Sequence, residues 1–316
     1  MTYNSIISAG IDVAKLKLDI VIYPSGQHLT VDYDAAGLKQ MDGFMQAHHA
    51  VRAGFEASGG YEWRLLTHLR AGPIQSARFQ PFQIKAFAKS KLRRAKNDKL
   101  DAGVIAEFTA SQETMPALPD ARLDGLADHL TYIEQIEDQL ARLKTMLETT
   151  HDNRIRRAYA NDIARLDRRK LAEIALLVKY ISTLEPLKRK LELLQSIKGV
   201  GLRTALAFLV RLPEIGSMSR EQAAAMAGLA PYDDDSGKRR GLRHIAGGRS
   251  RLRKSLFMSA FTSTRCNPDL KAFYSRLRDN GKLHRVAVIA TARKLVITAN
   301  AIIARNTPWL PKITTP

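Results

Sequence analysis

Over the N-terminal third of the chain, apolar residues come in short runs rich in Val, Ile and Leu, each closed by Gly, Pro or Asp. "SAGIDVAKLKLDIVIYP" holds two such runs and "QHLTVDYD" a third. An amphipathic helix is predicted from roughly Ala35 to His48. "AVRAGFEAS" and "PIQSARFQP" read as two further strands, separated by the helical stretch "YEWRLLTHLRAG". Three early strands followed by alternating helix and strand predict a mixed sheet covered by helices. Residues 1–117 are therefore expected to form an α/β domain.

The period changes after residue 118. Leu126, Leu130, Ile133, Ile136, Leu140, Leu143 and Leu147 recur at intervals of three and four, the seam of a long helix packing on a partner helix. A second series, Leu171, Ile174, Val178 and Ile181, runs up to Pro186, which ends or kinks a helix. "HDNRIRRAY" lies between them as the expected bend of a helical hairpin. An intramolecular bundle and an intermolecular coiled coil explain this 118–195 region equally well. Residues 196–316 read as a third, mostly helical unit, and no internal repeat is evident.

Charge narrows the partners. Lys and Arg total 50 against 31 acids, a formal net charge of +19 with a pI near 10.1, which points to a polyanion rather than to a fold. From Lys238 to Pro268 there are nine Lys or Arg and no Asp or Glu. A membrane surface is the competing polyanion, but Arg293 and Lys294 interrupt the most apolar late stretch, Val286 to Ile303, short of the ~20 apolar residues of a span. "MTYNSIISAG" carries no secretion pattern, and the single Cys266 excludes an internal disulfide or a Cys-based zinc site. The expectation is a soluble, cytoplasmic protein facing nucleic acid, with no membrane partner.

Four acids stand out within that setting. Asp12 in "GIDVAK" and Glu56 in "GFEASGG" close predicted strands, and Asp98 and Asp101 in "KNDKLDAGVIAEF" open a predicted helix that Asn97 is placed to cap. Residues three apart share a helix face, so the two aspartates project together. Convergent carboxylates need cations, and hard oxygen donors suit Mg²⁺. Two such ions about 4 Å apart stabilise the attacking and leaving oxygens of phosphoryl transfer; Mn²⁺ is the alternative. Any one of these acids alone reads equally as a surface charge or a helix cap.

The basic stretch "IKAFAKSKLRRAKND" puts Lys85, Lys89, Lys91, Arg93, Arg94 and Lys96 just before Asp98, where they would neutralise phosphates without reading sequence. "LLQSIKGVGLRTALAFL" resembles a helix-hairpin-helix element, with Gly199 and Gly201 allowing turn amides to approach a phosphate. In "YDDDSGKRRG" Ser236 stands between Asp233–Asp235 and the cations Lys238, Arg239 and Arg240, with Gly237 leaving it open. A serine there is either a turn residue or, beside a base or a metal, a nucleophile. Gly103, inside a predicted helix, has no functional reading.

The ordered set "GIDVAK", "GFEASGGYEW", "AKNDKLDA", "SIKGVGLRTA", "AGLAPYDDDSG" and "GGRSRLRKSLFMSAF" resembles the insertion sequence 110 family of transposases, the DEDD transposases, over essentially the whole chain. The resemblance implies an RNase H-like (RuvC-like) fold for residues 1–117, a coiled-coil middle over 118–195, and a mostly α-helical C-terminal transposase domain over 196–316. It implies that Asp12, Glu56, Asp98 and Asp101 form the acidic tetrad and that Ser236 is the nucleophile, in a site shared between subunits of a dimer or tetramer. Implied partners are double-stranded DNA, at element ends and target, and a structured guide RNA, in the bacterial nucleoid. Ser250 and Ser255 remain alternatives to Ser236. Arg243, Arg249, Arg251, Arg253 and Lys254, with Gly247 and Gly248, are expected to contact nucleic acid.

The leading expectation is thus an RNA-guided, Mg²⁺-dependent DNA recombinase working through a phosphoserine intermediate. A resolvase-like, metal-dependent DNA endonuclease in which water attacks is the alternative. A nucleic-acid-binding protein without catalysis leaves the acidic set unexplained.

Overall fold

The computed structural model describes residues 6–91, 98–118, 120–232 and 243–311, with Asp98 and Lys99 described by their backbone alone. The chain divides into two compact units, residues 1–121 and 122–316.

Unit 1 runs β1 (Ser8–Val13), β2 (Lys17–Tyr23), β3 (His28–Asp32), α1 (Ala35–Ala47), β4 (Arg52–Glu56), α2 (Trp63–Ala71), β5 (Gln75–Phe79), α3 (Pro81–Ser90) and α4 (Asp98–Ala110). The sheet order is β3-β2-β1-β4-β5. β1, β2 and β3 pair antiparallel, and β4 and β5 continue parallel to β1. All five expected strands and both early helices are present.

Alternation along the strands assigns the two faces. Ala9, Ile11 and Val13 of β1, Leu18, Ile20 and Ile22 of β2, and Ala53 and Phe55 of β4 pack with Leu38, Met41 and Met45 of α1 and Leu65, Leu66 and Leu69 of α2. The intervening residues, Ser8, Gly10 and Asp12 of β1 and Gly54 and Glu56 of β4, face α4. The Ser8 hydroxyl donates to the Ala106 carbonyl at 2.8 Å. A Cβ on Gly10 would stand 2.2 Å from both the Ala102 oxygen and the Ala106 nitrogen, and one on Gly54 would stand 2.0 Å from Thr109 Oγ1. α4 therefore lies on the sheet at backbone distance, crossing β4 at Thr109 and β1 at Ala102 and Ala106, and passing Val21 of β2 at Gly103. At Gly103 a Cβ would make only an ordinary contact, at 3.9 Å, and nothing in the structure explains a glycine there.

Unit 2 contains α5 (Asp124–Thr149), α6 (Asn153–Ser182), α7 (Glu185–Gln195), α8 (Leu202–Arg211), α9 (Arg220–Met226), the short strands β6 (Pro231–Tyr232) and β7 (His244–Ile245), α10 (Ser250–Cys266), α11 (Pro268–Asp279) and α12 (His284–Arg305). α5 and α6 form the expected hairpin, and the Asp152 carboxylate caps α6 by accepting from the Arg154 and Ile155 amides at 2.8 and 3.0 Å. Leu126, Leu130, Ile133, Leu177 and Ile181 at the root of the hairpin join one core with residues of α7, α8, α10 and α12. Towards the bend the seam thins: Leu143 and Leu147 are only half-buried, while Leu171, Leu176 and Tyr180 of α6 are exposed.

α12 is the one described helix long and apolar enough to cross a membrane. Val288, Ala292, Leu295, Val296 and Ala299 spend its apolar face inside the unit 2 core, and Arg293 and Lys294 break its run.

Two glycine substitutions separate close approach from propensity. Gly10→Ala forces a methyl into the α4 backbone and should destabilise the protein by roughly 3 kcal/mol. Gly43→Ala in α1, where nothing lies within 4 Å of the new Cβ, should gain about 0.5–1 kcal/mol of helix propensity. Thermal and denaturant unfolding of the purified chains distinguishes the two; equal effects would contradict the backbone contact.

Candidate catalytic and nucleic-acid-binding sites

The acids of unit 1 are gathered by the sheet register and by the α4 contact. β1 and β4 run parallel with Ile11 beside Phe55, so the next residues, Asp12, last but one in β1, and Glu56, last in β4, come near the ends of adjacent strands on the face that α4 covers. Both are half-buried. On α4, Asp101 precedes Ala102, the residue seated on Gly10, and Asp12 is the next residue on the same face of β1. Asp101 and Asp12 thus flank one helix–strand contact. Asp98 opens α4 one turn earlier, and its side chain lies outside the described residues.

This donor set is all oxygen and fits a hard divalent cation in kind. Among the described residues, however, no three His, Cys, Asp or Glu side chains stand close enough together to hold an ion. What the register supplies is the adjacency of Asp12 and Glu56, with Asp101 brought to the same contact.

Two further carboxylates lie near this region and went unnoticed in the sequence. Asp19 sits directly across from Asp12 in the β1–β2 register and is only 4% exposed. Burial pushes its carboxyl pKa up, but hydrogen bonds from Thr30 at 2.6 Å and from His28 at 3.0 Å, together with Lys17, more than offset this and hold it below the ordinary value. Asp19 is therefore a satisfied structural anion. A polar residue inside the apolar run "KLDIVIY" was the signal. Glu62, also 4% exposed, accepts from the Gly60 and Ser58 amides at 2.8 and 3.2 Å and thereby closes the loop that follows Glu56. Arg78 lies 3.7 Å from it and packs over Trp63 at 5.3 Å. No periodic pattern marks Glu62.

Of the basic approach, Lys85 and Lys89 are exposed on α3. Lys91 follows α3 and is paired with Glu107 of α4 at 3.0 Å. Arg93, Arg94 and Lys96 lie outside the described residues.

In unit 2, Ser236, Lys238, Arg239 and Arg240 likewise lie outside the described residues, but both ends of their segment are described. β6 and β7 pair antiparallel, Tyr232 against His244 and Pro231 against Ile245, so the chain leaves and returns through a two-residue ribbon, with Arg243 beside its exit. The ribbon is rooted by a glycine contact. Gly248 has φ +64°, and a Cβ there would stand 2.2 Å from the Gly228 nitrogen; the Arg249 amide donates to the Met226 carbonyl at 2.9 Å.

Two expected nucleic-acid contacts have internal partners at this root. Arg249 grips Glu214 through both terminal nitrogens, at 2.7 and 2.6 Å. Arg253 donates to the Gly247 and Gly228 carbonyls at 2.7 and 3.1 Å. Ser250 is exposed at the start of α10 and Ser255 is half-buried one turn further on.

The turn between α7 and α8 shows what each of its glycines does. Gly199 has φ +95°, and a Cβ there would meet Ser263 Oγ at 2.0 Å, so close packing on α10 already demands glycine. Ser259 donates to the Gly199 carbonyl at 2.6 Å and Asn267 to that of Lys198 at 3.0 Å. Gly201 has open space around its Cα and begins α8 without a side-chain cap. Both glycines line a cleft of about 550 Å³ with Arg203 and Thr204 of α8, Arg251, Lys254 and Ser255 of α10, and Glu134, Glu137 and Asp138 of α5. Periodicity had marked α5 only for its apolar seam. The acids on its neighbouring face and Arg203 were missed.

Comparison with known proteins bears on both units. A DEDD family model described as a transposase matches residues 9–153, and one described as the transposase IS116/IS110/IS902 family matches residues 191–275. The pilin gene-inverting protein of Moraxella bovis is 29% identical over 326 aligned positions, covering 96% of this chain and 98% of that protein. An uncharacterized 43.6 kDa protein of insertion element IS110 from Streptomyces coelicolor is 34% identical over 116 positions, covering 36% of this chain and 29% of that one.

The Arg249–Glu214 pair has a pH signature. Burial raises the Glu214 pKa, but the hydrogen bond and charge of Arg249 outweigh it and leave the carboxyl depressed. A depressed carboxyl stabilises the folded state fully above its unfolded pKa and loses that contribution as the pH falls below about 4.3 and through the folded value. Glu214→Gln should therefore lower stability at pH 7 while flattening its decline in acid. Unfolding curves at stepped pH test this, and an unchanged acid slope would contradict the pairing.

Proposed function

The chain belongs to the IS110 family of transposases and is a DNA recombination enzyme, and on that premise we propose that it exchanges DNA strands through a phosphoserine intermediate under RNA guidance. The observation that carries the reading is that Asp12 and Glu56 directly follow the paired Ile11 and Phe55 on neighbouring parallel strands, with the acidic start of α4 on the same face. The sheet order with its antiparallel meander and two parallel strands is consistent with an RNase H-like unit, and Asp12, Glu56, Asp98 and Asp101 would hold divalent cations, Mg²⁺ by the hardness of the donors. Cations bound there would neutralise charge on the phosphate and on the attacking and leaving oxygens.

The protein's own groups carry the rest. Ser236 Oγ attacks the phosphorus, the Oγ–P bond forms, the P–O3′ bond breaks, and the seryl proton passes to solvent while the leaving 3′ oxygen takes one up. A 3′-hydroxyl from the exchanged strand then attacks the same phosphorus, forms the new P–O3′ bond, and returns Ser236 to its alcohol. The bond energy is conserved in the ester, so no nucleotide is consumed. Lys238, Arg239, Arg240 and Arg243 flank the reacting phosphate, and Lys85, Lys89, Arg93, Arg94 and Lys96 neutralise the approaching strand. The Moraxella relative is named for inverting a gene, a rearrangement that needs the same cut and rejoin. The exposed apolar residues of α6, Leu171, Leu176 and Tyr180, support a coiled-coil contact between copies in a dimer or tetramer. The setting proposed is cytoplasmic, at the nucleoid.

A plasmid carrying the element, incubated with the full chain, its element-encoded RNA and Mg²⁺, tests this on denaturing gels. The intact protein should leave a protein–DNA adduct and recombinant product. Ser236→Ala should abolish the adduct and lower recombination by at least roughly a thousandfold, whereas Ser250→Ala and Ser255→Ala retain the adduct. Asp12→Asn, chelation of the metal or RNase treatment should each stop the reaction. Normal strand cleavage by Ser236→Ala would overturn the serine mechanism in favour of attack by water.

A further inference from the structure

The unit 2 cleft carries charge of both signs, and the two signs touch. On α10, Arg251 and Lys254 lie one turn apart; facing them on α5 are Glu134, Glu137 and Asp138. Arg251 pairs with Glu134 at 2.5 Å and Lys254 with Asp138 at 3.2 Å. Arg203 of α8 grips Glu137 through two nitrogens, at 2.9 and 3.0 Å. Every cation of the cleft wall is met by a carboxylate of the same chain.

Exposure divides these pairs into two kinds. Glu134 is 14% exposed and also binds Arg211, 18% exposed, at 2.8 Å, so it is a fixed hub of the unit. Lys254 and Asp138 are 78% and 60% exposed, and so open a pair holds weakly and changes partners readily. The cleft also keeps donors that the carboxylates do not use. α8 begins at Gly201 with no side-chain cap over its first amides, and the space beside Gly201 is open. An open helix N-terminus, the exchangeable Lys254 and the guanidinium groups of Arg203 and Arg251 around one cleft suit the two free oxygens of a backbone phosphate.

We propose that this cleft seats a backbone phosphate of duplex DNA on Arg203, Arg251, Lys254 and the start of α8, and that Asp138, with Glu137 beside it, stands in for that phosphate until DNA displaces it. The proposal rests on the reading of the chain as a DNA-acting enzyme but not on its serine chemistry. A protein with a net charge of +19 binds any polyanion non-specifically. An internal carboxylate at one cleft makes DNA compete for entry there, so that the cleft adds less to non-specific binding than its cations alone would.

Fluorescence anisotropy of the full-length chain on a labelled random-sequence duplex, over a salt series, provides the test. Asp138→Asn should tighten binding about two- to fivefold at low salt and steepen the slope of log affinity against log salt by about one. Lys254→Met should weaken binding and make Asp138→Asn silent in its background. Unchanged affinity in Asp138→Asn overturns the proposal. So does equal tightening with and without Lys254, which would reflect the general field, and so does tightening confined to a structured RNA probe. The same measurements on Ser236→Ala protein need no catalysis, so failure of the serine mechanism and failure of the carboxylate gate are read separately.

Discussion

The contact between Gly10 of β1 and the backbone of α4 is the constraint on which unit 1 turns. With no Cβ at residue 10, the helix settles at 2.2 Å from where that atom would be, close enough for Ser8 to reach the Ala106 carbonyl. A side chain there would lift the helix off the sheet and carry its acidic first turn away from the strand ends. Gly54 repeats the device on β4 against Thr109. Period-two alternation then does the rest, because the face that carries Gly10 and Gly54 is the face that carries Asp12 and Glu56. One steric requirement thus sets both the packing of α4 and the neighbourhood of the acids.

Unit 2 is organised by charge as much as by its apolar core. A strongly basic stretch would repel itself, yet its cations are distributed among distinct duties. Arg249 and Arg253 tie α10 to Glu214 and to the carbonyls of the glycine contact that roots the ribbon. Arg203, Arg211 and Arg251 meet at Glu134, half-withdrawn from water, where unpaired guanidinium groups would be costly. What stays exposed, Lys254 foremost, is what remains available to a polyanion. Net charge alone does not reveal this division, since it counts a structural arginine and a solvated lysine alike.

The glycines illustrate the same point. Gly199 and Gly201 look equivalent in "SIKGVGLRTA", and both suit a turn that meets phosphate. In the folded chain Gly199 is consumed by its contact with Ser263, whereas Gly201 opens α8 towards the cleft. Likewise Asp12 and Asp19 are both strand aspartates seven residues apart on paired strands, yet Asp19 is saturated by Thr30, His28 and Lys17. Chemical type is local, whereas partnership depends on what long-range pairing brings alongside.

Local physics determined a good deal from sequence alone: the five strands and their helices, the bend between α5 and α6, the polyanion-facing charge, and the four acids in "GIDVAK", "GFEASGG" and "KNDKLDA" as an ordered set. These follow from side-chain periodicity, turn chemistry and net charge, which need no knowledge of distant neighbours. Tertiary structure alone decided that Asp12 and Glu56 lie on adjacent strands, that Glu62 closes the loop behind Glu56, and that the acids of α5 face the cations of α8 and α10. Strand order and helix placement join residues tens of positions apart, and no periodic pattern along a chain encodes which of its charges will finally meet.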